Sequence, residues 1–169
     1  LKSCVSEITG NSLTQLFSYR GGYYDRFERE FRGFRLLLQS DTEASATEFT
    51  APILSKTWFH TGETIDPSRT GYYSRDDDAV DLKPTLLQLY HFNDRIAQPF
   101  TEADEETARE IARTLSGRVM RSEVFAAGDD AATAVPYVVQ EHRYGARVLR
   151  PKGKYQPYAV ILPLDAESI

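Results

Sequence analysis

The chain has one cysteine, one tryptophan and one methionine in 169 residues, and only three histidines. A lone Cys4 forms no internal disulfide, and its default role is that of a small apolar side chain. No apolar run nears the 18 or so residues that span a bilayer as a helix. The net charge is -5, and the 20 Lys and Arg residues are scattered, mostly beside acids. Nucleic-acid binding needs clustered cations that neutralise phosphates, so a nucleic-acid partner is not expected. The first residue is Leu1 and no signal-peptide pattern follows it. The chain therefore reads as a piece of a longer polypeptide, either one structural domain over 1–169 or a fragment of one.

Catalytic and metal-binding patterns are scarce as well. His60, His91 and His142 form no HxH or HxxxH pair, and a metal needs two or three ligands at fixed geometry. All three read as structural or surface residues, and His60, beside Trp58, invites the closest look. Asp76, Asp77, Asp78 and Asp81 resemble a calcium loop only superficially. An EF-hand needs Gly at the sixth position and Glu at the twelfth, where this chain has Asp81 and Leu87. Ser55, Ser74 and Ser122 lack a GxSxG elbow. Gly21, Gly22 and Gly71 belong to no phosphate-cradling pattern. The expectation is a non-enzymatic chain with no catalytic residue, no metal site and no cofactor.

What the chain does have is Tyr and Phe, ten and nine, in a composition that is 41% apolar. Such aromatics favour strands, and a globule of this size buries roughly 70% of its unfolded surface. Alternation and β-favouring aromatics predict strands over Leu1–Gly10, Leu13–Tyr19, Phe31–Gln39, Ile53–His60 (of mixed faces), Arg118–Ala126, Pro136–Leu149 and Tyr155–Leu164. The helical spacing of Tyr23, Phe27, Phe31, Phe34 and Leu38 is outweighed by Gly33 and the aromatics. Gly21-Gly22 is expected to break the second strand. Pro157 places the last strand at an edge, or starts it later. Glu43–Ala51 reads as a polar connector, Thr61–Ala79 as loop, and Leu86–Phe92 as a short apolar segment of open type.

One helix is predicted, Thr101–Gly117. Thr101 is the expected N-cap, and Asp104 stands where a capping box has Glu. Glu102, Asp104, Glu105 and Glu106 suit the positive helix start, and Arg109 and Arg113 its end. Ala108, Ile111, Ala112 and Leu115 form one apolar stripe. The fold class is mainly β, with antiparallel sheets and one amphipathic helix over about 101–117.

Charges also fall inside the strand-like segments. Glu28, Glu30 and Arg32 would share one strand face, with Arg29 and Phe31 on the other. Arg121, Glu123, Glu141 and Arg143 lie in later strands. Two readings stand open: a solvated outer face, or a partly buried network that sets strand register. Under the second, Arg29→Ala costs about 2–4 kcal/mol.

Five segments together resemble the middle region of the B component of bacterial insecticidal toxin complexes, to which SpvB-type plasmid virulence proteins are related. They are GYYDRFEREFRGF (Gly22–Phe34), SDTE (Ser40–Glu43), KTWFHTG (Lys56–Gly62), LSGRVMRSEVFA (Leu115–Ala126) and VPYVVQEHRYGARVLRP (Val135–Pro151). The resemblance implies a secreted virulence protein, cytoplasmic before release, and a place in a β-sheet shell around a cytotoxic effector. It implies neighbouring domains of the same toxin polypeptide and the Rhs-repeat C component as partners. The pore-forming A component would be met through other regions. The alternative is a carbohydrate- or receptor-binding β-sandwich using Tyr-rich loops such as Gly71-Tyr72-Tyr73. Exposed sheet edges would also let an isolated piece form a homodimer.

Overall fold

The alternating aromatics of the first third of the chain build a long hairpin in the computed structural model, which describes residues 2–5, 12–44, 53–73, 82–126 and 135–169. Strand β1 is Lys2–Val5, β2 is Ser12–Asp25 and β3 is Glu30–Ala44. The expected break at Gly21-Gly22 does not occur. The strand runs through both glycines and a register shift between Gly22 and Tyr24 absorbs the irregularity. Gly21 takes a φ of +65°, and a Cβ on Gly22 would meet the rings of Phe31 and Phe34 at 3.3 Å. The glycines thus serve a bulge and a close aromatic approach.

The hairpin turns because the Asp25 carboxylate accepts hydrogen bonds from the N–H groups of Phe27 (2.8 Å) and Glu28 (3.2 Å). Glu28 and Arg29 therefore sit in the turn, exposed, rather than on a strand face. Arg29 adopts a φ of +56° there. The network reading fails for Arg29, because a turn tip offers it no cross-strand partner.

Strand β4 (Ile53–Phe59), β5 (Leu86–His91), β6 (Ile96–Pro99), β7 (Val119–Ala126), β8 (Val138–Arg150) and β9 (Val160–Ser168) complete one nine-stranded sheet. Its order is β1-β2-β3-β4-β7-β8-β5-β6, with β9 also paired to β8. The chain is mainly β, as the sequence indicates, although one pairing, β5 with β8, is parallel. Among the described residues the strands form a single connected mixed sheet. The segment Leu86–Phe92 proves to be a strand that forms a hairpin with β6, an element too short to read from alternation. Strand β9 begins after Pro157 and, among the described residues, pairs only with β8, so Pro163 lies on an edge strand. The expected strand and turn residues 6–11, most of the connector after Ala44, and the Asp76–Asp78 run with Asp81 lie outside the described residues.

Helix α1 is Glu105–Thr114, shorter at both ends than predicted. Asp104, not Thr101, is the N-cap. Its carboxylate accepts from the Thr107 N–H (2.9 Å) and hydroxyl (2.8 Å). Those bonds, with the Glu106 N–H also contributing, hold the Asp104 carboxyl below the usual range. Ile111 and Leu115 are fully buried, worth roughly 1.5–3 kcal/mol each by transfer. Ile111 packs with Leu87, Ala146 and Val148, so the helix covers β5 and the second half of β8.

The helix also anchors the hairpin turn. The Arg109 guanidinium lies 4.4 Å from the Phe27 ring centre, and Arg113 pairs with Glu28 and Glu30 at 3.4 Å. On the same helix face, Lys152 pairs with Glu106. These exposed pairs are individually weak.

Candidate functional site

Strand register brings Trp58, Arg121 and Glu141 side by side on β4, β7 and β8. Paired residues share a sheet face, so the three form one row, and Glu123 sits two residues along the same face. Arg121 Nε donates to Glu123 Oε1 at 2.6 Å, and Arg121 Nη1 donates to Glu141 Oε1 at 2.8 Å. The three side chains are 1%, 0% and 3% exposed. A buried cation with two carboxylates holds together only while all partners remain. Here the network reading holds, for the Arg121, Glu123 and Glu141 charges that the sequence also offered.

Loop residues 71–73 close this row. The Tyr72 ring meets Trp58 edge-on at 4.9 Å, and the Arg121 guanidinium lies 4.9 Å from its centre. The Tyr73 N–H donates to Glu123 Oε1 at 2.9 Å. Burial, with Glu141 nearby, pushes the Tyr72 hydroxyl up to about 12. Tyr72 is therefore a lid on an internal charge cluster, and the Tyr-rich loop is not a free recognition surface. Sequence reading missed this pairing, since nothing local links Tyr72 to a strand 49 positions later.

His60 is 3% exposed. Its Nδ1 accepts from the Gly62 N–H at 3.1 Å, which leaves Nε2 to carry the proton and donate to the Ile65 carbonyl at 3.0 Å. Burial pulls its pKa below the ordinary histidine value, against the opposing pull of the Ile65 carbonyl and Asp66. The ring is a neutral spacer that shapes the loop after β4. The loop then lies against the helix end, where Gly62 has a φ of +75°. A Cβ there would stand 2.9 Å from Arg32 Nη1 and 3.0 Å from the Ala112 carbonyl. Arg32 ties this corner to the hairpin, donating to the Gly62 carbonyl at 3.0 Å and pairing with Asp25. Burial alone would raise the Asp25 carboxyl, but the Glu28 and Phe27 N–H groups and Arg32 hold it below its usual value.

The histidines do not come together, and among the described residues no three His, Cys, Asp or Glu side chains are grouped as metal ligands. His142 lies over Tyr144, ring centres 6.4 Å apart, beside a cavity of about 160 Å³ lined by Asp66, Arg69, Lys83 and Arg143 among others. The one carboxylate in that lining, Asp66, accepts from the Thr85 N–H (3.0 Å) and hydroxyl (2.8 Å). Arg143 Nε donates to the Pro84 carbonyl at 2.8 Å. A nucleophile with an adjacent base, or a pair of carboxylates facing a shared space, is what acyl or glycosyl chemistry would require. The cluster at Arg121 has two carboxylates but no access for a substrate.

Residues 2–62 match the family model described as the insecticide toxin TcdB middle/N-terminal region, and residues 110–169 match the middle/C-terminal region. No curated protein matches the chain. Among solved structures, the crystal structure of TcdB2-TccC3-Cdc42 superposes with a TM-score of 0.86 at 33% identity, over 98% of this chain and 8% of that one. TcdB2-TccC3 gives 0.85 at 33% identity, over 97% and 8%. The Photorhabdus luminescens Tc holotoxin pore, with a mutated TccC3, gives 0.84 at 34% identity, over 96% and 8%. This chain thus spans less than a tenth of the chains it resembles. The two family matches and the shared fold agree: the chain belongs to the middle region of the B component of bacterial insecticidal toxin complexes.

Proposed function

We propose that this segment is a non-enzymatic part of the wall of a β-sheet shell that encloses, or helps to translocate, a cytotoxic effector. Its partners are neighbouring regions of the same secreted polypeptide and an Rhs-repeat C component, with the A component reached through other regions. The observation that carries the reading is how the side chains are spent. The fully buried ionisable groups, Arg121, Glu123 and Glu141, fasten β7, β8 and a loop to one another. Large apolar side chains meanwhile stand outward along the hairpin, with Tyr19, Tyr24 and Phe31 at 54–55% exposure and Phe27 at 76%. Apolar surface on that scale marks contact with other protein.

The test uses the full-length B component assembled with its C component. Arg121→Ala and Gly62→Val are introduced separately, and protease access to the enclosed effector is followed over time. The expected result is faster effector cleavage with binding to the A component unchanged. Full protection of the effector, in variants whose β7 has lost its hydrogen-exchange protection, would remove this segment from the wall.

A further inference from the structure

The outer edge of β2 is only partly covered. Strand β1 pairs with Ser12–Gln15 alone, in the register Lys2↔Gln15 to Val5↔Ser12. From Leu16 to Asp25, β2 pairs with β3 on one side, and among the described residues no strand lies along its other side. Leu16 is 50% exposed, Tyr19 55% and Tyr24 54% on this stretch. A long, apolar, open edge is a template for another strand.

We infer that the stretch of the B polypeptide just upstream of this chain continues β1 as one unbroken strand along the open edge of β2. Two observations select that occupant. Strand β1 already sits on this edge, and being antiparallel it points its N-terminal end toward the uncovered residues. Further chain is at hand, since the similar B-component chains are more than ten times longer. The inference rests on the chain being a segment of a longer B polypeptide. It does not depend on whether that polypeptide encloses an effector.

The register makes the pairing specific. Paired positions in β1 and β2 sum to a constant, so the residue immediately before Leu1 falls opposite Phe17, and the third residue before it falls opposite Tyr19. Opposed residues share a face, and a one-residue slip turns a side chain to the other face. The test is disulfide trapping in the full-length B component, with Cys4→Ser and all other cysteines removed. A cysteine immediately before Leu1 is combined with Phe17→Cys or, as the shifted control, with Ser18→Cys. A second in-register pair joins a cysteine three residues before Leu1 to Tyr19→Cys. Under mild oxidation, peptide mapping by mass spectrometry is expected to show both in-register disulfides forming at least tenfold faster than the control. Equal rates for register and control, or no intramolecular disulfide at all, would overturn the inference. Disulfides between two copies would overturn it too, by making a second molecule the occupant of the edge.

Discussion

Replacing Arg121 by Met is the most informative single perturbation of this fold. The change keeps much of the side-chain length and removes the cation. Glu123 and Glu141, 0% and 3% exposed, lose partners at 2.6 and 2.8 Å, and Tyr72 loses the guanidinium over its ring. Breaking a buried ion pair by deleting one partner costs about 3–5 kcal/mol, because the remaining charge stays desolvated. Each 1.4 kcal/mol is a factor of ten, so opening of β7 is expected to become about a hundredfold more frequent, or more. Hydrogen exchange of peptides spanning Val119–Ala126, measured in the full-length B component, reads this directly. Arg121→Met with Glu123→Leu and Glu141→Leu is the control. Converting a whole buried cluster to apolar residues is often neutral, so this variant is expected to recover most of the protection. A single-variant loss below about 1 kcal/mol would refute the desolvation reasoning. So would a triple variant exchanging as fast as Arg121→Met.

Three further outcomes are expected. Gly62→Ala should cost about 2 kcal/mol or more, since a left-handed φ penalises a Cβ and Arg32 and the Ala112 carbonyl crowd it; exchange of α1 peptides measures the loss. Asp104→Ala should destabilise the helix by about 1 kcal/mol, whereas Thr101→Ala should cost only a few tenths, a contrast visible in the same peptides. Two pH limbs follow from the buried rings, each checked by the pH dependence of unfolding. Burial lowers the pKa of His60 in the fold, so the unfolded chain takes up the proton first and stability falls as pH drops below about 6.5; His60→Gln should flatten that limb. Tyr72 is raised to about 12 and burial raises Tyr144 as well, so the unfolded chain ionises first and stability falls from about pH 10 upward; Tyr72→Phe should reduce that loss.

The elements that could be read from sequence are those whose signals are local. Strands β4 and β7 announce themselves by alternation, and the helix by its acidic start and apolar stripe. Its cap is displaced because Thr101 and Asp104 are both capping residue types, and only the bond from Thr107 decides between them. Gly21-Gly22 misleads because a bulge and a break carry the same residues. The charge network is legible at Arg121 and Glu123, where alternation is clean. It is misplaced at Arg29, because the turn begun by Asp25 depends on side-chain bonds that composition does not display. The parallel pairing of β5 with β8 joins positions 59 apart, and no local pattern encodes it. For the same reason Tyr72, which covers the cluster, goes unnoticed until the loop is seen in place.

Strand β8 has a consequence for how the sheet can fail. It pairs with β7 through Val138–Glu141 on its first part, and with β5 and β9 through its remainder. Remove it, and the strand ladder falls into three pieces: β1 to β4 with β7, the hairpin of β5 and β6, and β9 alone. Within the strand ladder, strain passing from the first of these pieces to the others therefore crosses this single member, with the contacts of α1 to the hairpin turn as a route outside the ladder. A cut in its backbone would sever the fabric, whereas a cut near β1 or β6 would only fray a hem.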